Sequence, residues 1–133
     1  MVNWNGAPLD LPGESGVYLV HLDSPLGQSA HYLGYAPKSI RLRFVAHRKG
    51  QGARMLQVAR ERGLTFRVVR CWIGMGSWFE RYLKRQKHHS RFCPYCITGY
   101  EGVVVEKGVG TLIGRPGVAR AVADRERQME VPF

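Results

Sequence analysis

A chain of 133 residues has room for one domain, and 44% hydrophobic with 23% charged residues is ordinary globular usage, not that of a disordered tail. Lys and Arg number 20 against 10 Asp and Glu, so a net charge of +10 predicts a polyanionic partner, nucleic acid before any other. Apolar runs of only a few residues exclude a spanning helix, the stretch Met1 to Pro12 has neither the basic start nor the apolar core of a secretion signal, and three cysteines suit a reducing cytoplasm better than a secreted disulfide scaffold.

In chain order, Pro8, Pro12, Gly13 and Gly16 mark a leading loop. Val17 to Leu22 reads as a strand, Leu26 to Ser29 as a turn, and Ala30 to Tyr35 as the second strand of an antiparallel hairpin. Ser39 caps a helix from Ile40 to about Arg48, with Leu42, Val45 and Ala46 on its apolar stripe and Arg43 beside His47 at i, i+4. Ala53 to Arg62 is a second helix, stopped by Gly63, and Leu64 to Ile73 a third strand. Trp78 to about His88 is a third helix; Trp78, Phe79, Tyr82 and Leu83 form its apolar side, and Glu80, Lys84 and Lys87 its polar side. Beyond it, Gly102–Glu106 and Thr111–Ile113 are short strand candidates, and Val118 to about Met129 a terminal helix candidate. The expected fold is α+β, a small antiparallel three-stranded sheet flanked by helices. Residues 1–97 form the domain, and 98–133 an extension that packs on it, too short to bury its own core.

The charge is concentrated. Residues 1–37 hold no Lys or Arg, residues 38–91 hold 15 against two acids, and residues 92–133 are balanced. A block of net +13 repels itself, so it reads as a docking face for nucleic acid, with Arg41, Arg48, Lys49, Arg54, Lys84, Arg85 and Lys87 as its contacts. Affinity carried this way falls steeply with salt.

Gly16-Val17-Tyr18 on the first strand and Tyr32-Leu33-Gly34 on the second are followed by Arg43 and His47 on a helix, and by Glu80 on the helix after the third strand. Together these residues resemble the signature of the GIY-YIG nuclease superfamily over about residues 14–96. The run from Glu80 to Cys96 looks like a small stand-alone bacterial or phage subgroup of it. The resemblance implies a metal-dependent DNA endonuclease, structure-directed or of low sequence specificity, acting on DNA that could be branched or flapped. It implies that Glu80 holds one Mg²⁺ (or Mn²⁺) and that Arg43, preferred over neighbouring Arg41 because it shares a face with His47, clamps the phosphate. Tyr18 is then the general base or water-orienting group, Tyr32 bonds the water or the phosphate, and His47 relays a proton or binds phosphate. Family members often supply an Asn beyond the Glu, where this chain has Tyr95. A catalytically silent nucleic-acid-binding module of the same fold is therefore the alternative reading.

Cys93-x-x-Cys96 supplies two thiolates, half of a structural zinc site. His88, His89 or a second chain could complete it; a structural turn is the plainer reading. Cys71, inside the third strand, reads as a small core residue.

Overall fold

A hairpin whose strands alternate inward and outward residues organises the molecule. The computed structural model describes residues 11–86 and 89–108. Strands β1 (Gly16–Leu26) and β2 (Ser29–Ala36) pair antiparallel around the two-residue turn Gly27-Gln28, where Gly27 takes φ +66. Only glycine enters that left-handed region without steric cost. Helices α1 (Ile40–Arg48) and α2 (Arg54–Glu61) follow, then strand β3 (Phe66–Ile73) and helix α3 (Ser77–Lys84). A 3₁₀ turn (His89–Phe92), the short helix α4 (Pro94–Thr98) and strand β4 (Val104–Lys107) complete the described chain.

The sheet has four strands in the order β2-β1-β3-β4, and β4 runs parallel to β3, so the expected three-stranded antiparallel sheet is corrected to a mixed one. The fourth strand lies beyond the boundary expected at residue 97. Because β4 covers β3's outer edge, β3 is a central strand covered on both faces and is buried along nearly its whole length. Two members of the basic block, Arg67 and Arg70, are therefore interior and add nothing to an exposed basic surface. Arg70 donates to the Glu106 carboxylate of β4 at 2.8 and 3.0 Å and to the Phe92 carbonyl at 3.2 Å. The Thr111–Ile113 strand and the Val118–Met129 helix lie outside the described residues, as do Lys87 and His88.

Each face of the sheet has its own core. On one, Tyr18, Val20 and Leu22 of β1 pack with Ile40, Phe44, Leu56 and Phe66 under α1 and α2. On the other, Val17, Leu19 and Leu33 pack with Trp72, Phe79, Leu83 and Phe92 under α3 and the segment before α4. The inward stripe of α1 is Ile40, Phe44 and His47, at i, i+4, i+7. The expected stripe of Leu42, Val45 and Ala46 is wrong, and Leu42 is 68% exposed. The error has a physical cause: a polarity pattern places His47 outward, whereas a hydrogen bond to buried Tyr18 draws it in. Helix α3 is shorter than expected and is capped by Gly76, but its apolar side agrees. Phe79 and Leu83 are fully buried, each contributing about 1.5–3 kcal/mol of apolar burial, and this fixes the rotation of the helix that carries Glu80.

Candidate functional site

The hairpin register places two sets of side chains on opposite faces. Tyr18 pairs with Gly34 and Val20 with Tyr32, so both tyrosines point to the α1–α2 side; His21 pairs with His31 one residue on, which turns both imidazoles to the other side.

On the first side, Tyr18 is wholly buried and its ring crosses β2 above Gly34. A Cβ at position 34 would lie 2.4 Å from the ring Cζ and from the hydroxyl. The hydroxyl meets His47 Nε2 at 2.5 Å. His47 Nδ1 accepts the Ala53 backbone N–H at 3.3 Å, which leaves the proton of the neutral ring on Nε2, so His47 donates to Tyr18. Gly52 admits this arrangement, since a Cβ there would lie 2.2 Å from Nδ1. Arg43, exposed one turn before His47, also hydrogen-bonds Tyr18. The Tyr18 and Tyr32 rings are 6.3 Å apart, and those of Tyr32 and His47 5.7 Å.

The five residues singled out from the sequence thus converge. Burial pushes the Tyr18 phenol well above its ordinary range, helped by Tyr32 and Glu80 and opposed by Arg43. Tyr32 is half-buried; desolvation and Glu80 raise it too, while Arg43 and a hydrogen bond from Tyr18 oppose the rise. The hydrogen bond between the two phenols lowers Tyr32, so Tyr18 is its donor. A general base needs an ionisable group open to water, so burial removes Tyr18 from that role and leaves Tyr32 as the accessible phenol. Burial likewise keeps His47, 1% exposed, from touching a phosphate; it positions Tyr18 instead.

Glu80 lies in the first turn of α3, and both tyrosines feel its charge. Its carboxylate, 17% exposed, faces Lys84 Nζ at 3.5 Å, and the same ammonium sits 5.9 Å from the Tyr32 ring centre. A charge-assisted hydrogen bond runs at about 2.7–2.9 Å, so this pair is loose and the carboxylate retains acceptor capacity. A single carboxylate with free acceptor capacity is compatible with Mg²⁺, which takes one or two carboxylates with waters and substrate phosphate oxygens.

Among the residues expected to contact nucleic acid, Lys49, Arg54, Lys84 and Arg85 are exposed and Arg48 is half-buried. Arg41 is exposed, but its Nε donates to the Leu11 carbonyl and ties down the leading loop, which separates its role from that of Arg43.

Burial lowers the His47 pKa to about 4, with the Arg43 charge adding to the effect. The sign follows from linkage: a base depressed in the fold stabilises it above the unfolded pKa near 6.5 and loses that contribution as pH falls toward 4. At about 1.4 kcal/mol per unit, His47 accounts for roughly 3 kcal/mol of acid sensitivity. Denaturation of His47→Gln should accordingly show a shallower loss of stability between pH 6.5 and 4 than the parent chain, and equal slopes would contradict the buried neutral ring.

On the opposite side of the sheet, His21, His31, Cys93 and Cys96 bring their ligand atoms within 4.8 Å of one another, a group that could hold a metal ion. Sequence reasoning found the two cysteines and missed both histidines. His89 is not one of the four, although its charge joins burial and His21 in lowering the His31 pKa to about 4. The available signal was strand alternation: His21 continues the inward series Val17, Leu19, and His31 precedes inward Leu33. Tyr95 packs edge-on against His21 at 5.0 Å and belongs to this second cluster. Among the described residues no helix is long and apolar enough to cross a membrane. Compared with protein-family models, with curated proteins and with solved structures, the chain gives no match.

Proposed function

We propose that the protein is a Mg²⁺-dependent DNA endonuclease of GIY-YIG type, structure-directed or of low sequence specificity. The observation that carries the reading is the convergence of Tyr18, Tyr32, Arg43, His47 and Glu80, drawn from two strands and two helices, beside an exposed basic surface. Phosphodiester hydrolysis needs a bound phosphate, an oriented water, and neutralisation of charge at the leaving oxygen. Arg43 presents a planar, exposed guanidinium to the phosphate. His47 and Arg43 hold the Tyr18 hydroxyl, Tyr18 donates to Tyr32, and Tyr32 orients the attacking water. Glu80 would hold Mg²⁺, which supplies Lewis-acid stabilisation of the phosphate when bound. Lys84 shields the carboxylate until phosphate arrives and stays close enough to face the same anion.

Supercoiled and branched DNA, incubated with the purified chain and either Mg²⁺ or EDTA, test this reading. We expect Mg²⁺-dependent cleavage that Glu80→Gln and Arg43→Ala each abolish, with DNA binding retained in Glu80→Gln. Salt-sensitive binding without cleavage on every substrate would instead establish the silent binding module, which the tyrosine at position 95 favours.

A further inference from the structure

The second cluster has the spacing of a coordination shell. Cys93 is the N-cap of α4, and its sulfur accepts the Cys96 backbone N–H at 3.5 Å, which folds Cys93-Pro94-Tyr95-Cys96 into a tight turn with both thiols on one side. That turn packs under the inward side of the hairpin, where His21 Nδ1 and His31 Nε2 stand 3.0 Å apart. The Cys93 and Cys96 sulfurs each lie 3.7 Å from His21 Nδ1, and Cys96 Sγ lies 3.4 Å from His31 Nε2. Around a tetrahedral Zn²⁺, with Zn–S of about 2.3 Å and Zn–N of about 2.0–2.1 Å, sulfur and nitrogen ligands stand about 3.6 Å apart and two nitrogens about 3.3 Å. The three sulfur–nitrogen distances fall within a few tenths of an ångström of that value. None of the three cysteines of the chain is in a disulfide, so no disulfide competes.

We infer that His21, His31, Cys93 and Cys96 form a structural zinc site that staples the β1–β2 hairpin to the turn entering α4. Two soft sulfurs with two imidazoles select Zn²⁺ over Mg²⁺, so this site and the Glu80 carboxylate take different ions. Four protein ligands leave no position for water or substrate, which makes the site structural rather than catalytic. The four ligands link chain positions more than sixty residues apart, and the staple sets the path on which the chain continues through Gly99 to β4. It braces the same hairpin that carries Tyr18 and Tyr32, from the opposite face. Cys93 is buried while Cys96 is exposed, so a metal enters from the Cys96 side.

The test is elemental analysis of the full-length chain, purified with reductant and without chelator, alongside Cys96→Ser and His31→Ala. We expect one zinc per parent chain, loss of zinc in both variants, and unchanged zinc content in Glu80→Gln. Stripping the parent with a chelator should lower its thermal midpoint by at least about 5 °C, restored by adding zinc. Because His31→Ala could fail to fold, the metal-stripped parent is also titrated with Co²⁺, where tetrahedral thiolate–imidazole ligation gives intense visible bands. A parent chain that neither holds zinc as purified nor develops those bands would overturn the site. So would zinc retained at full stoichiometry in Cys96→Ser, which would mark it as adventitious.

Discussion

Replacing Glu106 by Ala should cost about 3–5 kcal/mol of folding stability, measured by chemical denaturation, although Glu106 lies in the last described strand and far from the tyrosine cluster in sequence. Its carboxylate meets Arg70, whose side chain is wholly inaccessible to solvent. The guanidinium sits 4.9 Å from the Trp72 ring centre, and its Nη1 also donates to the Phe92 carbonyl. Truncating Glu106 takes away the carboxylate that accepts two hydrogen bonds from a guanidinium shut off from water, and with it the charge that offsets the cation's desolvation. For a small domain held by about 5–15 kcal/mol, that is a large fraction. The double variant Arg70→Met, Glu106→Leu should recover most of the loss, because removing both charges also removes their desolvation cost. A loss below about 1 kcal/mol in Glu106→Ala would mean that β4 does not hold its place on β3 in solution.

The same pair shows where sequence reasoning reached its limit. Arg70 counted toward a basic surface because charge summed along a chain is blind to depth. Its partner is 36 residues away, in a segment read as an appendage. The hairpin, three helices and third strand were legible because each carries its own periodicity and turn residues, signals contained within a dozen positions. The parallel pairing of β4 was not, since it depends on a crossover through α3 and α4 that leaves no local trace. The tyrosine cluster was legible as a set of residue types, yet their division of labour was not. Burial of Tyr18 and inward rotation of His47 are properties of packing, and they transfer the accessible role to Tyr32. The histidine pair was hidden for a similar reason. Two histidines ten positions apart become neighbours only through cross-strand register, and they meet the cysteines only through tertiary packing.

Under the proposed endonuclease reading, Gly34→Ala should sharply reduce cleavage while leaving in place every side chain proposed to face DNA. Gly34 pairs directly with Tyr18, and a methyl at position 34 would overlap the tyrosine ring at its hydroxyl end. The ring is wholly buried and held by His47 and Arg43, so it cannot move aside while those bonds persist. Displacing it leaves the His47 Nε2–H buried without an acceptor and withdraws the hydrogen bond to Tyr32. We expect about 1–3 kcal/mol of destabilisation from the overlap, and a fall in cleavage of about 10²–10³-fold, the scale of losing one preorganised donor. A double-mutant cycle separates this from a general strand defect. In a Tyr18→Ala background the space above position 34 is empty, so adding Gly34→Ala should cost far less stability than it does in the parent chain. Additive costs would place the tyrosine ring elsewhere and dissolve the cluster; strong non-additivity would locate it over Gly34 by a measurement that needs no DNA, no metal and no assumed activity.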